Sequence, residues 1–367
     1  MLGTRLEIDL AALEHNYHYL RSTVKERVLF MAVVKANAYG HGMVQVAQKL
    51  EMLGANYMAV AYVSEGITLR EAGIKLPILI LHPQRENLEK CVSHCLEPVL
   101  YSREMMEAFY ALAQAEQLQA YPVHLEVNTG LNRIGIDWQE WEAIKPLIDQ
   151  VQHVEVRGFQ SHLAASEDLG EQAFTLRQLQ AFHKAAAQLE NYLGRQVIKH
   201  TTNTSGILNY ESAHYDMVRS GIGLYGYSNN PTLHKQLIPV ARLVSKISQL
   251  RIIHQGETVS YNREFTARQD THIAVVAIGH GDGIDRRHGN GRLEVIVHGQ
   301  LAPTLGVICM DMFMVDVTHI DQVQVGDDVV IFDRKHPANL IASNAGTISY
   351  EVLTGIRGRV PRVYHNG

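Results

Sequence analysis

The 367-residue sequence has few cysteines, no long apolar run and no excess of positive charge. Cys91, Cys95 and Cys309 are an odd number, which argues against a disulfide framework, and "CVSHC" (91–95) lacks the second Cys/His pair of a zinc site. No segment reaches the roughly 20 apolar residues of a membrane span, and the first residues lack the features of a signal peptide. The formal net charge of -5 argues against general binding to nucleic acid or membranes. We therefore expect a cytoplasmic protein without a metal, whose partners are small molecules or another subunit.

The first part of the sequence alternates apolar, β-branched segments with segments of helical spacing. Leu10, Leu13, Tyr17 and Leu20 show that spacing. Eight strands are predicted, at 28–35, 57–63, 77–82, 97–102, 123–128, 156–164, 197–203 and 217–226. Because these runs are apolar nearly throughout, they are typical of a parallel sheet covered on both faces. Eight β/α units predict an α/β fold of the (β/α)8 TIM-barrel type.

The pattern changes after about residue 235. Segments such as "VARLVSKISQLRII" (240–253) and "RLEVIVHG" (292–299) are predicted strands, and short turns rather than helices separate most of them. We therefore predict a barrel domain at 1–234 and a mainly antiparallel β domain at 235–367. The first nine or so residues are a candidate strand of the second domain, and "YSNNPTLHKQL" (227–237) has the composition of a linker.

Two motifs at strand ends are candidates for a catalytic or ligand-binding role. Lys35 ends the first predicted barrel strand, where catalytic residues of this fold lie, although a lysine that merely reaches solvent would look the same. "RSGIGLYG" (219–226) follows the eighth strand, and its glycines let the backbone approach a phosphate, although ordinary tight turns also contain them. An amine and a phosphate site together suggest pyridoxal phosphate as cofactor.

At this point the sequence resembles a known family. "VVKANAYGHG" (33–42), "NTGLNRIG" (128–135), "SHLAASED" (161–168), "NTSGIL" (203–208), "VRSGIGLYG" (218–226), "VSYNREF" (259–265), "IGHGDG" (278–283) and "CMDMFMVDVT" (309–318) occur in the order and spacing of the bacterial alanine racemases. The resemblance covers essentially the whole chain, including the second domain. It implies a pyridoxal-phosphate-dependent isomerase that interconverts L- and D-alanine, as a homodimer with shared active sites, and supplies D-alanine for peptidoglycan.

The resemblance also implies roles for particular residues. Lys35 matches the lysine that binds the cofactor covalently and acts as one acid/base group, and Tyr261 matches the opposite base, contributed by the partner subunit. Arg219 matches the residue that donates to the pyridine nitrogen. The other implied cofactor-binding residues are Tyr39, Arg133, His162, Asn203, Thr204, Gly221 and Ile222. Arg133, Met310 and Asp311 are implied to support the substrate, the last two in the neighbouring subunit's site.

Three positions depart from the commonest family pattern. Glu126 stands where many members have a lysine, often carbamylated, and we expect its carboxylate to pair with Arg133, with a bridging water or ion to complete the contact. His280 replaces a tyrosine at the substrate entrance. Gly358 replaces a tyrosine expected beside the phosphate. These changes keep open a racemase of another small amino acid, such as serine. A cofactor carrier and a decarboxylase of basic amino acids are further alternatives, but the second domain and "CMDMFMVDVT" favour a racemase.

Overall fold

The computed structural model describes residues 3–148, 152–228 and 235–366. The first strand, β1 (Arg5–Asp9), belongs to the second of two large sheets. The first large sheet contains the next eight strands: β2 (Leu29–Val33), β3 (Tyr57–Val60), β4 (Ile78–Ile80), β5 (Glu97–Leu100), β6 (Tyr121–Glu126), β7 (Val154–Gln160), β8 (Ile198–His200) and β9 (Met217–Ser220).

These eight strands form a nearly closed parallel barrel. Each strand from β2 to β8 pairs with its successor or predecessor, and β9 returns to pair with β2. On the remaining side, the amides of Asp216 and Arg219 donate to the carbonyls of Lys199 and Thr202 at 3.1 and 3.3 Å. The predicted (β/α)8 barrel is thereby confirmed. The observed strands are mostly shorter than predicted, because the apolar runs continue into the loops at the strand ends.

Helices follow most of the barrel strands. They are α1 (Leu10–Ser22), α2 (Lys35–Tyr39), α3 (Met43–Met52), α4 (Val63–Glu71), α5 (Leu88–Ser93), α6 (Arg103–Ala115), α7 (Trp141–Ile148), α8 (Gln172–Leu193) and α9 (Thr204–Asn209). Asp9 begins α1 by accepting hydrogen bonds from the amides of Ala11 and Ala12. The spacing that predicted this helix is its buried face. Among the described residues, no helix combines the length and apolar character needed to cross a membrane.

The second large sheet is mainly antiparallel. Its strands are β10 (Ala241–Ile253), β13 (Thr271–Val276), β14 (Glu294–Val297), β15 (Gln300–Leu305), β16 (Phe313–Asp316), β17 (Asp328–Phe332) and β18 (Arg362–His365), together with β1. A small ribbon of β11 (Thr258–Val259) and β12 (Phe265–Thr266) lies beside it. The long β10 pairs with β17 along its first half and with β13 along its second half. The predicted fold class, a barrel followed by an antiparallel β domain, is confirmed.

The two chain ends meet in this second sheet. Strand β1 lies between β10, to which it is antiparallel, and β18, to which it is parallel. One continuous hydrophobic cluster includes Leu13 and Phe30 of the barrel region and Leu243 and Phe332 of the second sheet, all fully buried. The predicted boundary between residues 234 and 235 and most of the predicted linker fall on 229–234, which lie outside the described residues.

Two helices, α10 (Ala338–Asn344) and α11 (Ser349–Gly355), follow β17. Helix α11 lies against the turn after β2: a Cβ atom on Gly40 would be 2.2 Å from the carbonyl oxygen of Leu353. Gly40 also has a φ of +87°, which favours glycine. The second domain therefore reaches the rim of the barrel at the carboxyl end of β2.

Candidate active site

A cavity of about 520 Å³ opens at the carboxyl ends of the barrel strands. This size is within the range of small-molecule sites, roughly 300–1,000 Å³. The structure brings nine of the sequence-predicted site residues to its wall: Lys35, Tyr39, Arg133, His162, Asn203, Thr204, Arg219, Gly221 and Ile222. Glu126, Gln160, Tyr350 and Thr354 also line it. The barrel half of the predicted site is therefore assembled within one chain.

Lys35 follows β2 and projects from the first turn at the cavity wall. Burial lowers the pKa of its amine, and the positive charge of Arg133 lowers it further. The negative charge of Glu65 raises the pKa of Lys35, but less than burial and Arg133 lower it. A lysine with a lowered pKa has a larger neutral fraction near pH 7, and the neutral amine is the nucleophilic form.

The backbone after Lys35 makes an uncommon left-handed turn. Ala36, Asn37, Ala38 and Tyr39 have φ values of 52°, 55°, 53° and 52°, a conformation that costs roughly 1–2 kcal/mol for each such residue. The Glu65 carboxylate holds this turn, since it accepts hydrogen bonds from the amides of Ala36 at 2.6 Å and Ala61 at 2.8 Å. The turn directs Lys35 and Tyr39 to the same cavity.

Arg219 is buried at the base of the cavity. Its Nη1 donates to Oε1 of Gln160 and to Nδ1 of His200, both at 2.9 Å. Its Nη2 donates to the carbonyl of Ser161 at 2.7 Å and to Nδ1 of His162 at 3.1 Å. None of these bonds uses Nε. Burial lowers the pKa of Arg219 to about 10, so the guanidinium is still charged at neutral pH.

His162 is a neutral imidazole in this arrangement. A guanidinium can only donate, so the Nδ1 atom facing Arg219 must accept and the ring proton is on Nε2. Burial and the neighbouring Arg219 also hold the pKa of His162 well below its usual value. The ring therefore offers the cavity a flat, uncharged surface.

A pocket of hydroxyl and amide groups forms another part of the cavity. Thr204 Oγ1 accepts from the amides of Gly221 at 3.3 Å and Gly223 at 3.2 Å. Asn203 begins α9 by accepting from the Gly206 amide at 2.9 Å. A Cβ on Gly221 would lie 2.3 Å from the Tyr39 hydroxyl, so this position requires glycine. Small residues thus leave room here for a group that hydroxyls and amides can bind, such as a phosphate.

Glu126 is held by a residue of the neighbouring strand. It is buried at 5% exposure, and its carboxylate accepts from Nε2 of Gln160 at 2.8 Å. Burial raises its pKa, although Arg219 and Arg133 act in the opposite direction. No direct ion pair joins Glu126 to Arg133, because Arg133 is carried by an exposed loop after β6, whereas Glu126 faces Gln160 on the neighbouring strand β7. The predicted pairing through a bridging water or ion stays a prediction.

The three predicted site residues of the β domain do not reach this cavity. Tyr261 is 67% exposed and Met310 is 57% exposed, and Asp311 is exposed as well. The Gly281 amide donates to the Met310 carbonyl at 2.8 Å, which joins the "IGHGDG" and "CMDM" loops. Arg359 donates to Asp311 and, at 2.6 Å, to Oδ1 of Asp282. The loops that carry Met310 and Asp311 are therefore held in place although these side chains are exposed and do not line the cavity.

The structure leaves open space around Gly358. Gly358 is exposed, does not line the cavity, and has no neighbouring atom within 4 Å of where its Cβ would be. Tyr350 of α11 occupies the wall instead, with its ring 5.9 Å from that of Tyr39. Burial raises the pKa of Tyr350 to about 12, so it stays a neutral phenol. His280 lines a separate cavity of about 360 Å³ in the β domain.

Sequence reasoning missed Tyr350, Glu65 and Gln160. Tyr350 lies near the start of α11, in "TISYEVL", where its contact with the barrel depends on the packing of the two domains. Glu65 is the third residue of α4, a position at which an acidic residue ordinarily suggests helix capping. Its contact with the turn after Lys35 had no signal in the sequence.

The fit of this cavity to pyridoxal phosphate can be judged from its donor groups. Lys35 supplies an amine, Arg219 has an Nε–H that its protein contacts do not use, and Thr204 and Gly221 border a pocket that a Cβ would fill. These are the groups that the aldehyde, the ring nitrogen and the phosphate of the cofactor require. Fold and site together thus define the class as a barrel enzyme dependent on pyridoxal phosphate.

Comparison with known proteins narrows this class to one family. The family model "Alanine racemase, N-terminal domain" matches residues 8–229, and "Alanine racemase, C-terminal domain" matches 240–364. An alanine racemase of Synechocystis sp. is 39% identical over 366 residues, which cover 98% of each chain. The chain therefore belongs to the alanine racemase family.

Solved structures agree with this assignment. Alanine racemase of Clostridium difficile 630 has a TM-score of 0.93 and 32% identity, with 100% of this chain and 96% of that chain covered. Alanine racemase of Bartonella henselae, solved with covalently bound pyridoxal phosphate, has a TM-score of 0.91 and 29% identity, with both chains fully covered. The alanine racemase family depends on pyridoxal phosphate, and the alternative of a serine racemase is not favoured.

Proposed function

We propose that this protein is a pyridoxal-phosphate-dependent alanine racemase that interconverts L- and D-alanine and supplies D-alanine for peptidoglycan. The observation that carries the proposal is the convergence of Lys35, Arg219 and the Thr204–Gly221 pocket on one cavity in a member of this family. When bound, pyridoxal phosphate withdraws electrons from an attached amino acid and makes its Cα proton acidic. The residues of this chain then hold the cofactor and move that proton.

Racemisation requires one acid/base group on each face of the substrate Cα. Lys35 serves one face: its Nζ takes the proton from Cα or returns it, and its lowered pKa favours the neutral base. Tyr261 of the partner subunit serves the opposite face through its phenolic oxygen. When one group takes the Cα proton, the other gives its own proton to the opposite face, and proton exchange with solvent then returns both groups to their starting states.

Arg219 and His162 control the cofactor ring rather than the proton. Because a guanidinium keeps its protons at neutral pH, Arg219 would donate a hydrogen bond to the ring nitrogen of the bound cofactor and so keep that nitrogen uncharged. By this contact Arg219 would moderate the electron withdrawal that the cofactor supplies. His162, neutral and held by Arg219, would lie beside the cofactor ring.

The proposed active form is a homodimer with two shared sites. Tyr261, Met310 and Asp311 are exposed on their own chain, and Arg359 fixes the loop that carries Met310 and Asp311 through its ion pairs with Asp311 and Asp282. Because the barrel cavity of one chain contains no second base, we infer that a second copy of the chain contributes these three residues to it. In this arrangement Met310 and Asp311 support the substrate carboxylate together with Arg133.

We also propose that the enzyme is cytoplasmic. Cys91, Cys95 and Cys309 are all free in the structure, and Cys95 is exposed. Unpaired thiols suit a reducing compartment such as the cytoplasm.

Polarimetry tests the proposal directly. Purified holoenzyme incubated with L-alanine should bring the optical rotation to zero, and the same end point should be reached from D-alanine. A panel that includes L-serine measures the preference within the same experiment. Stable rotation from both alanine enantiomers, with the cofactor bound, would contradict the proposed activity.

A further inference from the structure

A buried line of polar side chains extends from Arg219 across the barrel interior. Nη1 of Arg219 is 2.9 Å from Nδ1 of His200, Nε2 of His200 is 2.9 Å from Nδ1 of His124, and Nε2 of His124 is 3.2 Å from Oε2 of Glu97. The two imidazoles are completely buried, and Glu97 is 4% exposed. Arg157 holds the other carboxylate oxygen at 2.8 Å. We call Arg219, His200, His124 and Glu97 the buried relay.

The direction of every hydrogen bond in the buried relay is determined. Arg219 can only donate, so Nδ1 of His200 accepts and its proton must be on Nε2. That Nε2–H donates to Nδ1 of His124, so the proton of His124 is also on Nε2 and points to the Glu97 carboxylate. Both imidazoles are therefore neutral, and all donors point from Arg219 towards Glu97.

The strands of the barrel leave space for the imidazole ring of His124 in the buried relay. A Cβ on Gly158 of β7 would lie 2.0 Å from Nδ1 of His124, so any larger residue would occupy the place of the ring. The pairing of β6 with β7 also shifts register between Val123 and His124. Glycine and an irregular register at the same point show that the strand geometry accommodates the imidazole.

Glu97, the last residue of the buried relay, is a charged carboxylate. Burial acts to raise its pKa, but the hydrogen bond from His124 and the charge of Arg157 outweigh burial, and the pKa lies below its usual value. Charge-assisted hydrogen bonds are about twice as strong as neutral ones. The carboxylate thus fixes His124, which fixes His200, which in turn orients the Nη1 side of Arg219.

We propose that His124 and Glu97 are positioning residues for the racemase reaction, which act through His200 to hold the guanidinium of Arg219 with its Nε towards the cofactor. Only the expected effect on racemisation rests on the proposed function. The hydrogen-bond directions themselves are properties of the protein without cofactor. A guanidinium held less firmly would donate to the ring nitrogen for a smaller fraction of the time.

Nitrogen NMR of histidine side chains in the apoprotein tests the relay itself. With uniform ¹⁵N labelling, His124 and His200 should both show the neutral Nε2–H pattern near pH 7, assigned by comparison with the His124→Gln variant. In Glu97→Gln the His124 signals should move. An imidazolium pattern, or the Nδ1–H tautomer, for either residue in the wild type would overturn the proposal.

Kinetics of matched variants test the positioning role. In Glu97→Gln the side-chain NH2 group must face either His124 or Arg157, both donors, so one link is broken whichever way the amide is turned. We expect kcat for alanine to fall roughly tenfold with little change in KM, the size reported for supporting residues of other sites. The cofactor absorbance band should also shift.

Glu155→Gln is the matched control, because Glu155 contacts Nη2 of the same Arg157 at 2.9 Å but is not part of the relay. It should keep wild-type kcat and spectrum. Equal kcat in wild type and Glu97→Gln, or an equal loss in both variants, would overturn the proposal. If Glu97→Gln does not fold, His124→Gln takes its place with the same expectations. A wild type that binds cofactor but does not racemise alanine would refute the proposed function, while the NMR experiment would still decide on the relay.

Discussion

The two parts of the proposed site differ in how completely one chain builds them. The barrel part is enclosed: Arg219 is 5% exposed and bonded on both Nη atoms, and burial, followed by the charge of Arg133, lowers the pKa of Lys35. The β-domain part is open, with Tyr261 and Met310 more than half exposed. In the proposed assignment, the enclosed part binds the cofactor and the open part supplies the second base to another subunit.

The largest expected effect is that of Lys35→Ala. Racemisation should fall by more than roughly 10⁴-fold, because the variant loses both the covalent attachment of the cofactor and one acid/base group. The measurements are polarimetry and the absorbance band of the attached cofactor. Lys25→Ala, which removes an exposed lysine paired with Glu211, is the control and should behave as wild type. Near-normal racemisation by Lys35→Ala would refute the assignment.

Mixing two inactive variants tests whether the open part completes the neighbour's site. Tyr261→Phe should bind cofactor yet lose roughly 10²–10⁴-fold in activity. If Lys35→Ala and Tyr261→Phe subunits are unfolded together and refolded, half of the dimers are mixed, and each mixed dimer has one intact site. Activity should therefore recover to about a quarter of wild type. No recovery, with mixed dimers shown to be present by mass, would mean that each site is built within one chain.

A smaller effect is expected from Arg133→Met on cofactor uptake. Arg133 lowers the pKa of Lys35, so its removal should raise that pKa. The neutral amine then appears only at higher pH, and the pH of half-maximal cofactor uptake by the apoprotein should move upward. Arg103→Met, which removes an exposed arginine outside the cavity, should leave the profile unchanged. A shift towards lower pH would contradict the electrostatic account of this part of the site.

The smallest expected effect concerns Gly358. Because its surroundings are open and it does not line the cavity, Gly358→Tyr should leave the serine-to-alanine ratio of kcat/KM within about twofold of wild type. Tyr350→Ala, which removes a wall of the closed part, should raise that ratio by about tenfold. Both ratios are measured under one buffer. A large change of this ratio in Gly358→Tyr and none in Tyr350→Ala would show that Gly358, and not Tyr350, forms the cavity wall that sets the preference for alanine.

Much of this arrangement could be predicted from the sequence because local signals and the fold agree. Apolar runs bounded by turns identified all eight barrel strands, and residues at strand ends such as Lys35 and Arg219 must meet at one end of a barrel. The motifs therefore indicated the same cavity that the structure shows.

The remaining features depend on packing that no local pattern encodes. Tyr350 reaches the cavity only because α11 packs on the turn after β2. Glu126 meets Gln160 rather than Arg133 because adjacent strands bring their side chains into direct contact, whereas Arg133 is on a loop. The position of the His124 ring depends on Gly158 of the neighbouring strand and on the register shift beside it, which no local sequence pattern predicts.

The placement of β1 between β10 and β18 has a consequence for how the protein is made. The barrel strands β2–β9 are complete by Ser220, and their contacts are largely between successive units. Strand β1 is synthesised first, yet its parallel partner β18 begins at Arg362. Closing this pairing spans almost the whole chain, the kind of contact that forms slowly. The barrel strands can therefore pair before β1 meets β18, so the second large sheet is completed after the barrel has formed.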